Sequence, residues 1–315
     1  MSDPAGVDPA FRAAMARMVG DDPAMRLGIA VSGGPDSMAL LDLAARAFPG
    51  RVMAATVDHG LRAESAGEAA MVARWCATQG VSHETLHPAS PPDGNIQNWA
   101  RSARYAALND WRIRHGVDWL LTAHHADDQI ETMLMRLNRG AGLSGLAGIR
   151  PRNGAIIRPL LDCRKGDLLD YVVVRAMPFA TDPGNADPRF DRAALRARLA
   201  QADWLDPRAA ARSAAALSEC EAALDWVVAD LAARHVSGQG DAIRLDRTDL
   251  PRELLRRLLL HMLHRADPSA APPRGDTVDR LIASALAGGR GSIGDWLLAG
   301  DQHGWTLSPA PARRT

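Results

Sequence analysis

The feature that most constrains the fold is a strict alternation of strand-like and helix-like segments between residues 27 and 175. Short apolar runs at 27–31, 52–57, 81–86, 119–123 and 155–157 read as strands, and helical periodicity marks 36–48, 64–79, 96–114, 127–138 and 165–175. A leading helix places Phe11, Met15, Met18 and Val19 on one face. Alternation of this kind predicts an α/β fold, a doubly wound and mostly parallel sheet covered on both faces, with ligands at the carboxyl ends of its strands. The strand signal stops near Asp203 to Arg208. An Ala-rich helical stretch then runs from Arg208 to about Val236, followed by helices at 250–264 and 277–286 around a Pro-rich loop. The expected organisation is therefore a first domain over 1–206 and a second, mostly helical domain over 207–315. The Trp296 and Trp305 segments are expected to form a short hairpin.

The first strand and helix are joined by Ser32-Gly33-Gly34-Pro35-Asp36-Ser37. Two glycines let the backbone turn sharply and approach a ligand, and Pro35 suits a first helical position. Free N–H groups at that helix end attract an anion, Ser32 and Ser37 add hydroxyls, and Asp36 can reach a phosphate-bound Mg²⁺. An ordinary strand-turn-helix with Ser and Asp as caps is the competing account of the bare turn. This is not a Walker loop: the chain lacks Gly-x-x-x-x-Gly-Lys-Ser/Thr, and its only lysine is Lys165. The stretches from Gly140 to Gly145 and from Gly289 to Gly294 match G-x-G-x-x-G but follow helices, so they read as helix-ending loops rather than dinucleotide sites.

Two further segments end strands at the same edge. Val57-Asp58-His59-Gly60-Leu61-Arg62 is either a structural turn or a nucleotide contact through His59. In Thr122 to Thr132, His124, Asp127 or Asp128, and Glu131 follow three- and four-residue spacing, which puts them on one face. Acidic residues in a first helical turn also answer the helix dipole. As ligands, oxygen donors without cysteine suit Mg²⁺ with a triphosphate better than zinc. Gly140 to Gly148 forms a glycine-rich loop long enough to move over a substrate. Arg101 and Arg104, three apart on a helix before Tyr105, either present guanidinium groups to a phosphate or base or sit on a solvated face.

With 315 residues, 47% of them hydrophobic, there is material for two cores. No apolar run has membrane length and the first residues lack a signal-peptide pattern, so a cytoplasmic protein is expected, with no membrane association and no evident protein partner. Cys76, Cys163 and Cys220 are scattered and without a C-x-x-C, which argues against a disulfide framework, a zinc ribbon or a cysteine-ligated cluster. Formal net charge is zero. Its distribution is uneven: Arg136, Arg139, Arg150, Arg152, Arg158, Arg164 and Lys165 face only Asp162 within one stretch, and Arg189, Arg192, Arg196 and Arg198 form a second cluster against Asp191. Both favour a polyanionic substrate.

Ser-Gly-Gly-x-Asp-Ser resembles the pyrophosphate-binding loop of the N-type ATP pyrophosphatases. Taken with Val57 to Arg62, Arg101 to Tyr105, His124 to Thr132, the Arg139 to Gly148 loop, Ile157-Arg158-Pro159-Leu160-Leu161 and Asp182-Pro183-Gly184-Asn185 leading to Phe190, the chain resembles the tRNA(Ile)-lysidine synthetases over about residues 26–199. The resemblance implies a PP-loop fold of the adenine nucleotide alpha hydrolase kind and an ATP-dependent ligase. Its substrates would be ATP, L-lysine and the CAU-anticodon tRNA(Ile), whose wobble cytidine becomes lysidine. Ser32, Gly33, Gly34, Pro35, Asp36, Ser37 and His59 would bind the nucleotide, and Asp36 and Asp127 would hold Mg²⁺. Asp36, Arg104, His124, Asp127, Asp128 and Glu131 would carry the chemistry, and Arg101, Arg104, Arg139, Arg192 and Arg196 would contact tRNA. One departure is Ala193, between Arg192 and Arg196, where relatives usually carry an Asn. A thiolase of the same loop class and a nonenzymatic ATP-binding regulator are the alternatives.

Overall fold

The computed structural model describes residues 6–20, 22–60, 64–88, 96–181, 191–202, 204–239, 241–271, 273 and 275–311, with the side chains of 96–98, 191 and 239 left aside. Leu61, Arg62, the 182–190 segment with Arg189, and Asp203 lie outside the described residues. The chain divides into two compact units, 1–218 and 219–315.

In the first unit α1 (Val7–Val19) precedes β1 (Leu27–Ala30), α2 (Pro35–Ala47), β2 (Val52–Val57), α3 (Ser65–Gln79), β3 (Ser82–Leu86), α4 (Ile96–Arg114), β4 (Trp119–Leu121) and α5 (Ala126–Leu137). A one-turn α6 (Leu143–Leu146), β5 (Arg152–Asn153), β6 (Ile156–Ile157), α7 (Lys165–Val174) and α8 (Asp191–Leu199) follow. The sheet order is β3-β2-β1-β4-β6-β5, parallel except for the β5–β6 pair. After β3 the chain returns across β1 to lay down β4, so the strand order reverses between β1 and β4. The crevice at their carboxyl ends is where a doubly wound sheet binds its ligand.

Packing explains why β1 is central. Leu27 and Ile29 are fully buried, and Gly28 opposes the Trp111 ring so closely that a Cβ would lie 2.6 Å from it. On one face α2 buries Met38, Leu40, Leu41 and Leu43 against the sheet together with Phe11 and Met15 of α1 and Leu168 and Val172 of α7. Leu108 and Trp111 of α4 cover the other face with Leu86, Val117 and Leu120. Each buried leucine of this kind stabilises by about 2–5 kcal/mol relative to alanine, so the helix that begins at the Ser32 to Ser37 loop is firmly seated.

α9 (Pro207–His235) carries the chain into the second unit, where the tail forms more than the expected hairpin. β7 (Val236–Gln239), β8 (Ala242–Leu245), β9 (Arg290–Ile293), β10 (Trp296–Asp301) and β11 (Gly304–Pro309) make a five-stranded antiparallel sheet in the order β7-β8-β11-β10-β9. α10 (Arg252–Ala266) and α11 (Gly275–Leu286) contribute Leu258, Leu259, Met262, Val278 and Ile282 to a core shared with Leu298, Trp305 and Leu307. The expected helices are present, and the sheet is added to them. The missed strands are short, and β7 and β9 carry the glycines and serines that read as loop. Among the described residues no helix is long and apolar enough to cross a membrane.

Candidate active site

β1 delivers the chain into the turn, and Gly33 adopts φ +85, a conformation side chains avoid. Gly34 caps α2 with Pro35 in its first turn, leaving the helix N-terminus open to an anion. Ser37 closes the loop: its Oγ accepts from the Ser32 N–H at 3.1 Å and donates to the Gly34 carbonyl at 2.9 Å. The Ala180 N–H donates to Gly33 O at 2.9 Å, tying the turn to the segment after α7.

Across the switch point, β4 delivers Thr122, His124 and His125. His125 caps α5, its Nδ1 accepting from the Asp128 N–H while Asp128 accepts from the His125 N–H. Three carboxylates converge on this buried ring: Asp36 Oδ2 at 3.6 Å and Asp128 Oδ2 at 3.5 Å from Nε2, and Asp127 Oδ2 at 3.6 Å from Nδ1. Burial works against the charged imidazole, but the Asp36 hydrogen bond and the three negative charges outweigh it and raise the His125 pKa. The same charge pairing, with His125 foremost, lowers Asp128 against its own burial. Sequence reasoning passed over His125 because helical spacing picked out its neighbour; the signal available was a His at the strand end one residue before the helix, the N-cap position.

Placement within the triplet is now specific. Asp127 Oδ2 accepts from the Lys165 N–H at 2.7 Å, fastening the start of α7 to the site. Asp36 Oδ1 is buried with no hydrogen-bond partner among the described residues. A buried carboxylate oxygen left unpaired is costly unless a cation or donor meets it. Among the described residues no three His, Cys, Asp or Glu side chains form a metal cage of their own. Two carboxylates with ligand phosphates are the usual setting for Mg²⁺, so the donor set fits that ion on Asp36 and Asp127.

Glu131 is 2% exposed and fully engaged: Arg196 donates from Nε at 2.7 Å, and Arg192 Nε donates at 3.0 Å. The same two guanidinium groups lie 4.0 and 3.9 Å from Asp128 Oδ1, and Arg192 also donates to Thr132 Oγ1 at 3.0 Å. Arg192 and Arg196 therefore clamp α8 to α5. The helical spacing does bring Asp128 and Glu131 to one face, while Asp127 turns toward α7. His124 lies outside the helix, its Nδ1 3.0 Å from Thr122 Oγ1; burial, with Arg158, Arg101 and Arg192 against Asp128, holds its pKa down to about 4.

Asp58 accepts from the Gly60 N–H and the Ser65 hydroxyl, a turn that leads into α3. His59 stacks edge-on with Trp99 at 5.7 Å, and both its ring nitrogens are buried without a partner among the described residues. Burial, then Arg104, lowers its pKa, so the ring is a neutral, unused hydrogen-bonding surface. Arg136 donates to the carbonyls of Gly145 and Gly148 and so shapes the glycine-rich loop. Cys76 is buried in the core, which pushes its thiol up to about 12.

A loop of this geometry at the switch point of such a sheet defines the PP-loop class, and the description "PP-loop domain" matches residues 7–203. The chain is 40% identical over 289 residues to the tRNA(Ile)-lysidine synthase of Novosphingobium aromaticivorans, covering 89% of this chain and 87% of that one. It is 38% identical to the synthase of Zymomonas mobilis over 88% and 86% of the two chains. The chain belongs to the tRNA(Ile)-lysidine synthase family of PP-loop proteins. A U34-tRNA thiolase from Methanococcus maripaludis shares the fold, with a TM-score of 0.56 at 18% identity over 68% of this chain and 78% of that one.

Proposed function

We propose that this protein is an ATP-dependent tRNA(Ile)-lysidine synthase acting in the cytoplasm, with the wobble cytidine of a CAU-anticodon tRNA(Ile) and L-lysine as its substrates. Family membership over most of the chain carries the reading, and the convergence of Asp36, Asp127 and Asp128 beside an open helix N-terminus supports it.

Cytidine C2 is a poor electrophile, so O2 is activated first. O2 attacks the ATP α-phosphorus and the bond to the β-phosphate oxygen breaks, releasing pyrophosphate. The lysine ε-amine then adds at C2, loses a proton, and the C2–O2 bond breaks as AMP leaves. Ser32, Gly33, Gly34 and Ser37 hold the departing pyrophosphate with backbone N–H groups and hydroxyls. Asp36 and Asp127 are the residues that would hold Mg²⁺, which when bound neutralises phosphate charge. His59 faces the nucleotide and Arg104 the tRNA. Asp128 orients the lysine amine. Glu131, both oxygens engaged, keeps Arg192 and Arg196 in place beside that carboxylate. The basic residues from Arg136 to Lys165, Arg139 among them, and the region 207–315 contribute further tRNA contacts.

The test is pyrophosphate release from ATP by the purified protein with CAU-anticodon tRNA(Ile), with and without lysine. Release that needs this tRNA is the expected result. Binding of ATP without tRNA-stimulated turnover would favour a regulator.

A further inference from the structure

Arg158 is a buried cation without an acidic partner among the described residues. Its side chain follows β6, the residue is 7% exposed, and NH1 donates to the Arg150 carbonyl at 2.7 Å. Its Nε is buried with no hydrogen-bond partner among the described residues. Arg101 packs over the Tyr105 ring at 5.4 Å, and Tyr105 also neighbours Arg158. Among the described residues neither Arg101 nor Arg158 forms an ion pair with a carboxylate. A guanidinium kept from water with an idle donor is costly, and like charges gathered beside it add to that cost. Such an arrangement is built for an anion that arrives with a ligand.

His124 fixes where this cationic pocket lies. The ring is near the negative charge of Asp128 and the positive charges of Arg158, Arg101 and Arg192. The Thr122 N–H donates to the Ile157 carbonyl at 3.1 Å and the Thr122 hydroxyl lies 3.0 Å from His124 Nδ1, so Arg158 and His124 sit at the carboxyl ends of neighbouring strands, with Asp128 in the first turn of the helix that follows. An amino acid with an amine at one end and a carboxylate at the other complements those charges.

We propose that Arg158, with Arg101 at its rim, binds the α-carboxylate of the incoming lysine, the amine end of which is directed to Asp128. The proposal rests on the synthase reading given above. A planar guanidinium fork matches a carboxylate in two-bond geometry. A tRNA phosphodiester presents the same anionic oxygens, but its chain-borne phosphate is ill suited to reach a guanidinium this enclosed, whereas a free amino acid can enter end-on.

The experiment compares L-lysine with 1,5-diaminopentane, which keeps both amines and lacks the carboxylate. Wild-type enzyme should prefer lysine by about tenfold or more in kcat/KM, the worth of one charge-assisted hydrogen-bonded pair. In Arg158→Gln the preference should collapse through a raised KM for lysine with little change toward the diamine, and Arg101→Gln should narrow it. Thermal denaturation and ATP binding establish that each variant is folded. If Arg158→Gln does not fold, the exposed Arg101 variant decides by the same ratio.

Equal use of lysine and diamine by the wild type would overturn the proposal, as would an unchanged ratio in the folded variants. Equal losses for both amines, with weaker tRNA binding and a shallower salt dependence, would instead make this a phosphate site. Lysine-independent pyrophosphate release by the wild type with tRNA tests the underlying reading separately. Its absence would defeat that reading, whereas its presence without amine discrimination would defeat only this inference.

Discussion

Replacing Glu131 with Gln should unlatch α8 from α5. The carboxylate is buried and takes three charge-assisted bonds, from Arg192 Nε and from Arg196 Nε and its terminal nitrogen, at 3.0, 2.7 and 2.9 Å. Each such bond to a charged group contributes about 1.5–3 kcal/mol in a buried setting. The arginine side chains are 41% and 33% exposed, so solvent screens their ends of the pairs. Glutamine keeps one acceptor and the shape but cancels the charge, leaving two guanidinium groups to repel one another beside Asp128. Allowing for screening and the retained acceptor, the loss should be about 2–3 kcal/mol, which lowers Tm by about 5–10 °C. Hydrogen exchange should localise the loosening to residues 191–199. A Tm within about 1 °C of wild type and unchanged exchange over those residues would refute the clamp.

The other predictions follow from single contacts. Asp36→Ala should abolish tRNA-dependent pyrophosphate release yet stay within about 1 kcal/mol of wild-type stability, since the carboxylate packs little and has an unpaired buried oxygen; wild-type turnover by a folded variant would remove it from the mechanism. His124, held down to about 4, leaves the unfolded chain binding a proton that the folded chain refuses, so stability falls as pH drops from about 6.5 toward that value. His125, raised, contributes stability that is present below about 6.5 and lost as pH rises through its folded value. Denaturation at stepped pH should show the acid-side slope flattened in His124→Gln, and an unchanged slope would contradict the assignment. Gly28→Ala should cost about 2–3 kcal/mol, because its Cβ would meet the Trp111 ring at 2.6 Å, and a neutral result in chemical denaturation would show that the sheet yields there.

The fold of the first unit was legible because burial on both faces of a parallel sheet forces continuous apolar strands, and the covering helices carry their own period. Residues 52–57 and 96–114 run as the sequence indicated. The β5–β6 pair was missed on its β5 side, where Arg152 and Asn153 are exposed and make only two-residue pairing. The second sheet was hidden for a similar reason, its edge strands being rich in Gly and Ser. At the site, motif and switch-point logic brought Asp36, His124, Asp127 and Asp128 to one edge. Spacing could not show that Glu131 is already paired, since its partners Arg192 and Arg196 are some sixty positions away in the chain. Nor does any local pattern mark Arg158, whose lack of a carboxylate partner among the described residues emerges only once β6 pairs with β4.

The most direct test of the central claim is the mass of the wobble nucleoside recovered from unmodified CAU-anticodon tRNA(Ile) after incubation with the purified protein, ATP and L-lysine. Cytidine at that position should gain one lysine with loss of water, only when ATP is present, and an adenylated nucleoside should be detectable when lysine is withheld. An unmodified cytidine under all conditions, from a protein that binds ATP and is folded, would contradict the account.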